Sequence, residues 1–414
     1  MNASENFCNG QRLHQAGNDI DAASEYLKAV LAPDCDPWSK AAALNNVGLI
    51  LHARGRMDKA CQCFVYAMQL NPKSAEIVNN YGSAKMFMGD YPGATECFHK
   101  AVLLNPKSVE SRVNAAVVCL TTGDLQRGFI NYEWRWKWPA FTTKHFDTTR
   151  PKWKGQSLEG KTIMLTHEQG LGDSIQFIRY AKMVKARGAR VRFLGLQPLQ
   201  KLFEGVEGID EFVLASEDEG FDYHCPLLSL PKVFKTTLDT IPNEVPYIKA
   251  AAAPVPIGVG RLAVGIVWAG RPEHAKDKWR SITAKHFEPL MDVKGVEWHS
   301  LQFGPKASQF SDLPACRDWA GQIKDLTDTA AIIKALDLVI CVDTAIAHLA
   351  GALAKPVWML TPFNPDWRWM LDRTDSPWYP TMRLFRQPNL DDWDSVFSEV
   401  KTALINKVAV YRPF

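Results

Sequence analysis

Two short stretches have the residue types and spacing to hold an anion and move a proton: Glu168-Gln-Gly-Leu-Gly-Asp173 and Val342-Asp-Thr-Ala-Ile-Ala-His348. In the first, Gly170 and Gly172 let the backbone approach a ligand closely, and the helix expected to follow offers unpaired N–H groups. In the second, an apolar run ends at Asp343 and Thr344 is suited to cap a helix. The small Ala345, Ala347 and Ala350 leave room above its first turn, which makes a cradle fitted to a diphosphate. His348 falls one turn into that helix, where a packed structural histidine is the ordinary expectation. Neither stretch has the full GxGxxG of a dinucleotide site or the Lys-Ser/Thr of a P-loop, so hydride transfer and ATP hydrolysis lose ground. A third stretch, Arg271-Pro-Glu-His-Ala-Lys-Asp-Lys-Trp-Arg280, carries basic residues at Arg271, Lys276, Lys278 and Arg280. Most such loops are solvated surface.

The elements needed to position these stretches are strands that feed helices. Residues 161–166 form a short apolar run before the first Gly-rich turn, and residues 174–187 have helical spacing. Short strands are expected at 190–196 and 211–215, with a helix near 198–203. A Pro- and Ala-rich segment, 242–256, looks like a linker. The alternation then restarts, with strands at 263–268, 296–303, 337–342 and 356–360 and helices at 326–336 and 344–353. Strands this apolar on both faces belong in parallel sheets covered by helices, and two such halves would place a cleft at the carboxyl ends of their strands.

The first third is different. Gly55, Gly89 and Gly123 recur every 34 residues, as do Ala60, Ala94 and Gly128, and Phe64, Phe98 and Tyr132. Val47-Gly48 and Tyr81-Gly82 keep the same step, and Asn71-Pro72 and Asn105-Pro106 end successive units. The pattern resembles the tetratricopeptide repeat, a helix-turn-helix unit that stacks into a solenoid. An earlier copy at Gly10, Gly17, Ala22, Tyr26 and Ala29 and a weaker unit from Val109 extend the repeats over residues 3–142. The resemblance implies protein interaction, while support for the following domain carries equal weight. Tyr132-Glu-Trp-Arg-Trp-Lys-Trp138 closes the array with alternating tryptophans, expected to pack and not to form a strand.

Composition narrows the class of function. A chain of 414 residues with 46% hydrophobic side chains can fill several cores. Its 48 basic against 45 acidic residues exclude a polycation that binds nucleic acid or membrane by bulk charge. Nine cysteines without a CxxC pair fit neither a disulfide framework nor a zinc site, so a reducing compartment is expected. No signal-peptide pattern and no membrane-length apolar run is present, and the expected location is cytoplasmic.

Gly170-Leu-Gly-Asp173 and Asp343-Thr-Ala-Ile-Ala-His348-Leu-Ala-Gly-Ala resemble the paired signatures of heptosyltransferase-type (family 9) glycosyltransferases. Trp268-Ala-Gly270, Arg280-Ser281 and Asp366-Trp-Arg-Trp369 extend the resemblance to bacterial proteins that fuse tetratricopeptide repeats to such a domain, an arrangement similar to protein O-GlcNAc transferases. The resemblance implies a solenoid at 1–142 followed by a GT-B fold of two Rossmann-like halves, an acceptor side at 143–250 and a donor side at 251–414. It implies transfer of a sugar from a nucleotide-sugar to an acceptor hydroxyl, expected on a protein positioned by the repeats, with no cofactor and no obligatory metal. Asp173 becomes the candidate base, with His167 and Glu168 in reserve. Gly170, Gly172 and the backbone at Asp343, Thr344 and Ala345 become the donor site, with His348, Lys278, Arg280 and Gln302 beside them. Trp367 and Trp369 are left as packing. The acidic runs 217–219 and 391–392 are read as surface rather than metal ligands.

Two further readings stay open. One is a repeat scaffold with a degenerate transferase domain. The other keeps the enzyme and exchanges the protein acceptor for a glycan, a lipid-linked sugar or a modified nucleic-acid base.

Overall fold

The computed structural model describes residues 2–215, 220–253, 257, 260–274, 276–313 and 315–411. The chain divides into two compact units, Met1–Phe141 and Thr142–Phe414.

The first unit is a run of eight helices: α1 (Ala3–Gln15), α2 (Asp19–Leu31), α3 (Pro37–Ala53), α4 (Met57–Leu70), α5 (Ala75–Phe87), α6 (Tyr91–Leu104), α7 (Val109–Thr121) and α8 (Leu125–Tyr132). Each helix pair turns at a glycine of positive φ, namely Gly17, Gly55, Gly89 and Gly123, which only glycine adopts without strain. Within a pair, a missing side chain on one helix receives an aromatic ring sixteen residues on. A Cβ at Gly48 would lie 2.6 Å from the Phe64 ring, and one at Gly82 would lie 2.9 Å from Phe98. Successive repeats are stitched by asparagines 35 residues apart, one more than the period: Asn80 donates to Asn45 Oδ1 (2.9 Å) and Asn114 to Asn79 Oδ1 (3.1 Å). These amides are buried at Asn45, Asn79 and Asn80, so the pairing answers a desolvation cost. The tryptophan run forms a 3-10 turn, Glu133–Lys137, in which buried Arg135 lies over the Tyr132 and Trp136 rings. We expect Gly82→Val to destabilise this unit by about 1–3 kcal/mol through overpacking against Phe98, read as a lower urea midpoint.

The second unit contains two parallel sheets. The first joins β1 (Thr162–Thr166), β2 (Arg190–Leu194), β3 (Glu211–Val213) and β4 (Tyr223–Pro226) in the order β3-β2-β1-β4. The second joins β5 (Leu262–Val267), β6 (Val296–Ser300), β7 (Cys316–Asp318), β8 (Leu338–Val342), β9 (Val357–Thr361) and β10 (Met382–Arg386) in the order β10-β9-β8-β5-β6-β7. Strand order reverses between β1 and β4 and between β5 and β8, and in doubly wound sheets that reversal opens the ligand crevice. β5, β8 and β9 are buried along their whole length, which explains their continuous apolar sequences.

Three expectations change. The helix expected at 174–187 is divided into α9 (Leu171–Phe177), a 3-10 turn (Ile178–Tyr180) and a short helix (Ala181–Lys185). β4, β7 and β10 were not anticipated; all three are short edge strands, and β7 and β10 mix charge with apolar residues. The described part of segment 242–256 is not a loose linker: Tyr247 and Ile248 donate backbone N–H bonds to Ala352, and the Tyr247 hydroxyl donates to the Ile175 carbonyl.

Candidate active site

Both signature stretches leave the carboxyl end of a strand beside an order reversal. β1 ends at Thr166, and the turn that follows places Gln169 in the left-handed region (φ 60°), its N–H held by Thr143 Oγ1 at 2.9 Å. α9 then starts at Leu171, and Asp173 is its third residue. Asp173 Oδ2 accepts the Gly170 N–H at 2.8 Å, while Oδ1 pairs with the Arg368 guanidinium. β8 ends at Val342, and extended Thr344 precedes the helix Ala345–Ala352.

α9 and this helix meet directly. A Cβ on Gly172 would sit 2.9 Å from His348 Cδ2 and 3.4 Å from Ala345 Cα. Gly172 therefore serves helix contact, whereas Gly170 is exposed, gives its N–H to Asp173, and a Cβ there would meet only Asp173 Oδ2 at 3.2 Å. The contact has a useful result. It brings Asp173 and the Thr344–Ala345 helix start to one place within the second unit.

Arg368 organises the charges there. Only 7% exposed, it donates to Asp366 Oδ1 (2.8 Å), to Gln176 Oε1 (2.6 Å) and to Asp173. Burial pushes the Asp173 carboxyl above the usual carboxylate range, against the pull of Arg368 and the Gly170 N–H. Asp343 is also raised, by burial and then by the nearby Asp366 charge, with Arg280 opposing. At Asp366 burial works the same way, but Arg368 and Lys276 outweigh it and hold that carboxyl low. The cluster thus separates an ionised carboxylate, Asp366, from two carboxyls with raised proton affinity.

His348 is not a cationic phosphate ligand. It is buried, stacked on Trp369 with centroids 5.3 Å apart, and its Nδ1 bonds the Tyr379 hydroxyl at 2.9 Å. Burial, then the neighbouring Arg368, depresses its pKa well below the histidine norm, so the ring is neutral. An unfolded chain takes up a proton below about pH 6.5 that the native ring refuses. The contribution of His348 to stability is therefore complete above that pH and lost as pH falls below it. We expect the unfolding free energy of His348→Gln to fall less steeply than wild type between pH 7 and 5, by up to about 1.4 kcal/mol per pH unit. Urea titrations at several pH values measure the difference.

Other expected donor contacts sort in the same way. Gln302 is 4% exposed and its amide is fully engaged: Oε1 accepts the Trp268 and Ala269 N–H groups (3.1 and 2.9 Å), and Nε2 donates to the Ala269 and Phe303 carbonyls (3.1 and 3.0 Å). Its amide shapes the turn after β5. Lys278 is exposed, its ammonium 4.3 Å from the Trp279 ring centroid. Arg280 is the better-placed cation. It is packed against Gly270, where a Cβ would lie 2.6 Å from its Nη2, and its Nε is paired with Asp277 Oδ1 at 3.6 Å. The Thr344 hydroxyl is buried without a hydrogen-bond partner. An unmet hydroxyl of this kind marks a place for a bound ligand. Of the reserve bases, Glu168 is completely buried, which removes it from contact with an acceptor, and His167 is partly exposed with Nδ1 3.2 Å from the Leu194 carbonyl. Residues 217–219 lie outside the described residues; Asp392 caps the helix Trp393–Val410.

Comparison with known proteins matches these two regions separately. Residues 12–75 match the tetratricopeptide repeat, and residues 311–361 match glycosyltransferase family 9 (heptosyltransferase). The chain is thus similar to the tetratricopeptide repeat in its first unit and to glycosyltransferase family 9 in its second. Protein FlbA of Caulobacter vibrioides is 28% identical over 324 residues, covering 70% of this chain and 54% of FlbA, so the chain spans about half the length of that relative. The family 9 glycosyl transferase from Veillonella parvula is similar over 61% of this chain and 91% of its own, at 13% identity and a TM-score of 0.43. MamA is similar over 32% of this chain and 75% of its own, at 19% identity and a TM-score of 0.29. The two parallel sheets are consistent with a GT-B fold. Among the described residues no helix is long and apolar enough to cross a membrane.

Within the second unit, sequence reasoning missed the side chains that hold the two sheets' signatures together. Arg368 entered only as a letter of Asp366-Trp-Arg-Trp369, though an arginine between two tryptophans was a signal of burial. Arg179 was not considered. It is 6% exposed, donates to the Gln176, Pro242 and Trp378 carbonyls and to the Tyr247 hydroxyl, and lies over the Tyr379 ring.

Proposed function

We propose that this chain transfers a sugar from a nucleotide-sugar to an acceptor hydroxyl. The observation that carries the reading is the junction of α9 with the helix Ala345–Ala352, which sets an acidic side chain beside an open helix start with an unpartnered hydroxyl at Thr344. In this reading Asp173, 18% exposed, accepts the acceptor's proton as the acceptor oxygen bonds to the sugar's anomeric carbon. The bond from that carbon to the diphosphate breaks. The departing nucleotide diphosphate gathers negative charge, which the N–H groups at Ala345, the Thr344 hydroxyl and Arg280 can stabilise. Asp343 is repelled from the phosphates when ionised, so its raised proton affinity suits it to sugar hydroxyls.

The repeats support a protein acceptor, since stacked helix pairs of this type present extended surfaces to peptides. With cations and a helix start available to the diphosphate, we propose that turnover needs no metal. The competing scaffold reading draws on Asp173 having both oxygens engaged. Purified full-length chain incubated with a panel of nucleotide-sugars, with and without EDTA, tests both: nucleotide release and labelled sugar in acid-insoluble protein are expected in either buffer. Neither release nor a thermal shift with any donor would overturn the enzyme reading, and label in glycan or lipid alone would overturn the protein acceptor.

A further inference from the structure

We infer that Arg386, at the end of edge strand β10, is a positioning residue that sets Asp173 for proton transfer, an inference that rests on the function proposed above. Its guanidinium collects three backbone carbonyls of one loop: Nε donates to Arg373 and Nη1 to Met370, both at 2.9 Å, and Nη2 to Trp369. The next residue, Gln387, holds the loop's other end. Its Oε1 accepts the Phe363 N–H at 2.9 Å, and its own N–H donates to Thr361 at 3.1 Å. The loop 362–373 is thus fastened at both ends by two consecutive residues, Arg386 at the end of β10 and Gln387 just after it.

This loop needs fastening. Met370 has φ 54° and ψ −161°, a backbone conformation otherwise left to glycine, and a methionine stays there only where surrounding contacts overdetermine it. The Met370 and Trp369 carbonyls on either side of that strained peptide are two of the three that Arg386 holds. Just before them stand the residues that reach the site: Arg368 contacts Asp173, and Trp369 stacks on His348, which packs against Gly172. The path from Arg386 to Asp173 therefore passes through one loop and one side chain. The charged groups facing Asp173 are Arg368 and, through it, Asp366. Arg383, three residues earlier on β10, is exposed and pairs with Glu399, so it shares the strand without touching the loop.

Arg386→Gln and Arg386→Lys in the full-length chain, with Arg383→Gln as control, test the inference. Two readouts are needed: the carboxyl titration of Asp173 by 13C NMR, assigned by its loss in Asp173→Asn, and the pH profile of turnover. Arg386→Gln is expected to raise the Asp173 midpoint, because Arg368 is no longer held against it. It is also expected to lower kcat by on the order of 10²-fold with donor KM nearly unchanged, and to move the acid limb of kcat to higher pH. Arg386→Lys should restore part of each, and Arg383→Gln should match wild type. An unmoved Asp173 midpoint in Arg386→Gln, with only a lower melting temperature, would overturn the inference. A wild type that turns over no donor would overturn the proposed function instead, and the NMR midpoint would still decide the role of Arg386.

Discussion

Asp173→Asn is expected to lower turnover by about 10²–10⁴-fold while leaving donor affinity essentially unchanged, the signature of a base lost from the transition state. The substitution is mild for the fold. An asparagine Oδ1 can still accept from Arg368, which also keeps Asp366, or from the Gly170 N–H. What the amide cannot do is take a proton. Burial raises the proton affinity of the Asp173 carboxyl, and the Arg368 charge opposes that rise. Steady-state kinetics with donor binding by calorimetry measures both arms. Weakened donor affinity at normal turnover would move Asp173 from proton transfer to ground-state binding.

Arg368→Met is expected to have the largest effect on stability, a loss of about 3–5 kcal/mol, since it strips the cation from two carboxyls and the donor from Gln176 Oε1. Methionine fills much of the volume, so packing against Phe177 and Trp367 is largely kept. The pH dependence separates charge from packing. Without Arg368, the native carboxyls titrate above their unfolded values of about 3.9, so protonation relieves the unpaired charge. The deficit should therefore shrink as pH falls toward 4 and grow as pH rises through the raised native values. Urea unfolding across that range checks this, and a deficit independent of pH would assign the loss to packing.

The sequence announced its repeats and both signature turns because each rests on a local requirement. Gly55, Gly89 and Gly123 must adopt positive φ, Gly48 and Gly82 must admit a ring, and β5 and β8 must be apolar on both faces. Asp173 and Thr344 were legible for the same reason: each stands at a strand-to-helix turn. Roles that depend on distant partners were not. Gln302 reads as a polar side chain at a strand end, and only the folded turn after β5 shows all its hydrogen bonds spent. His348 reads only as a neighbour of the donor site, and its bond to Tyr379, 31 residues on, shows in the fold alone. Arg368 meets Asp173 across 195 residues, a separation no spacing rule detects. β10 was invisible because an edge strand reading Met-Arg-Leu-Phe-Arg carries charge where a central strand would not.

The claim at the centre of this account is that a nucleotide diphosphate seats at the end of β8. A crystal structure of the full-length chain soaked with nucleoside diphosphates tests it most directly. A phosphate is expected within hydrogen-bond distance of the Thr344 hydroxyl and the Ala345 N–H, with Arg280 against it. A nucleotide bound elsewhere, or a Thr344–Ala345 cradle left empty at saturating nucleotide, would contradict it.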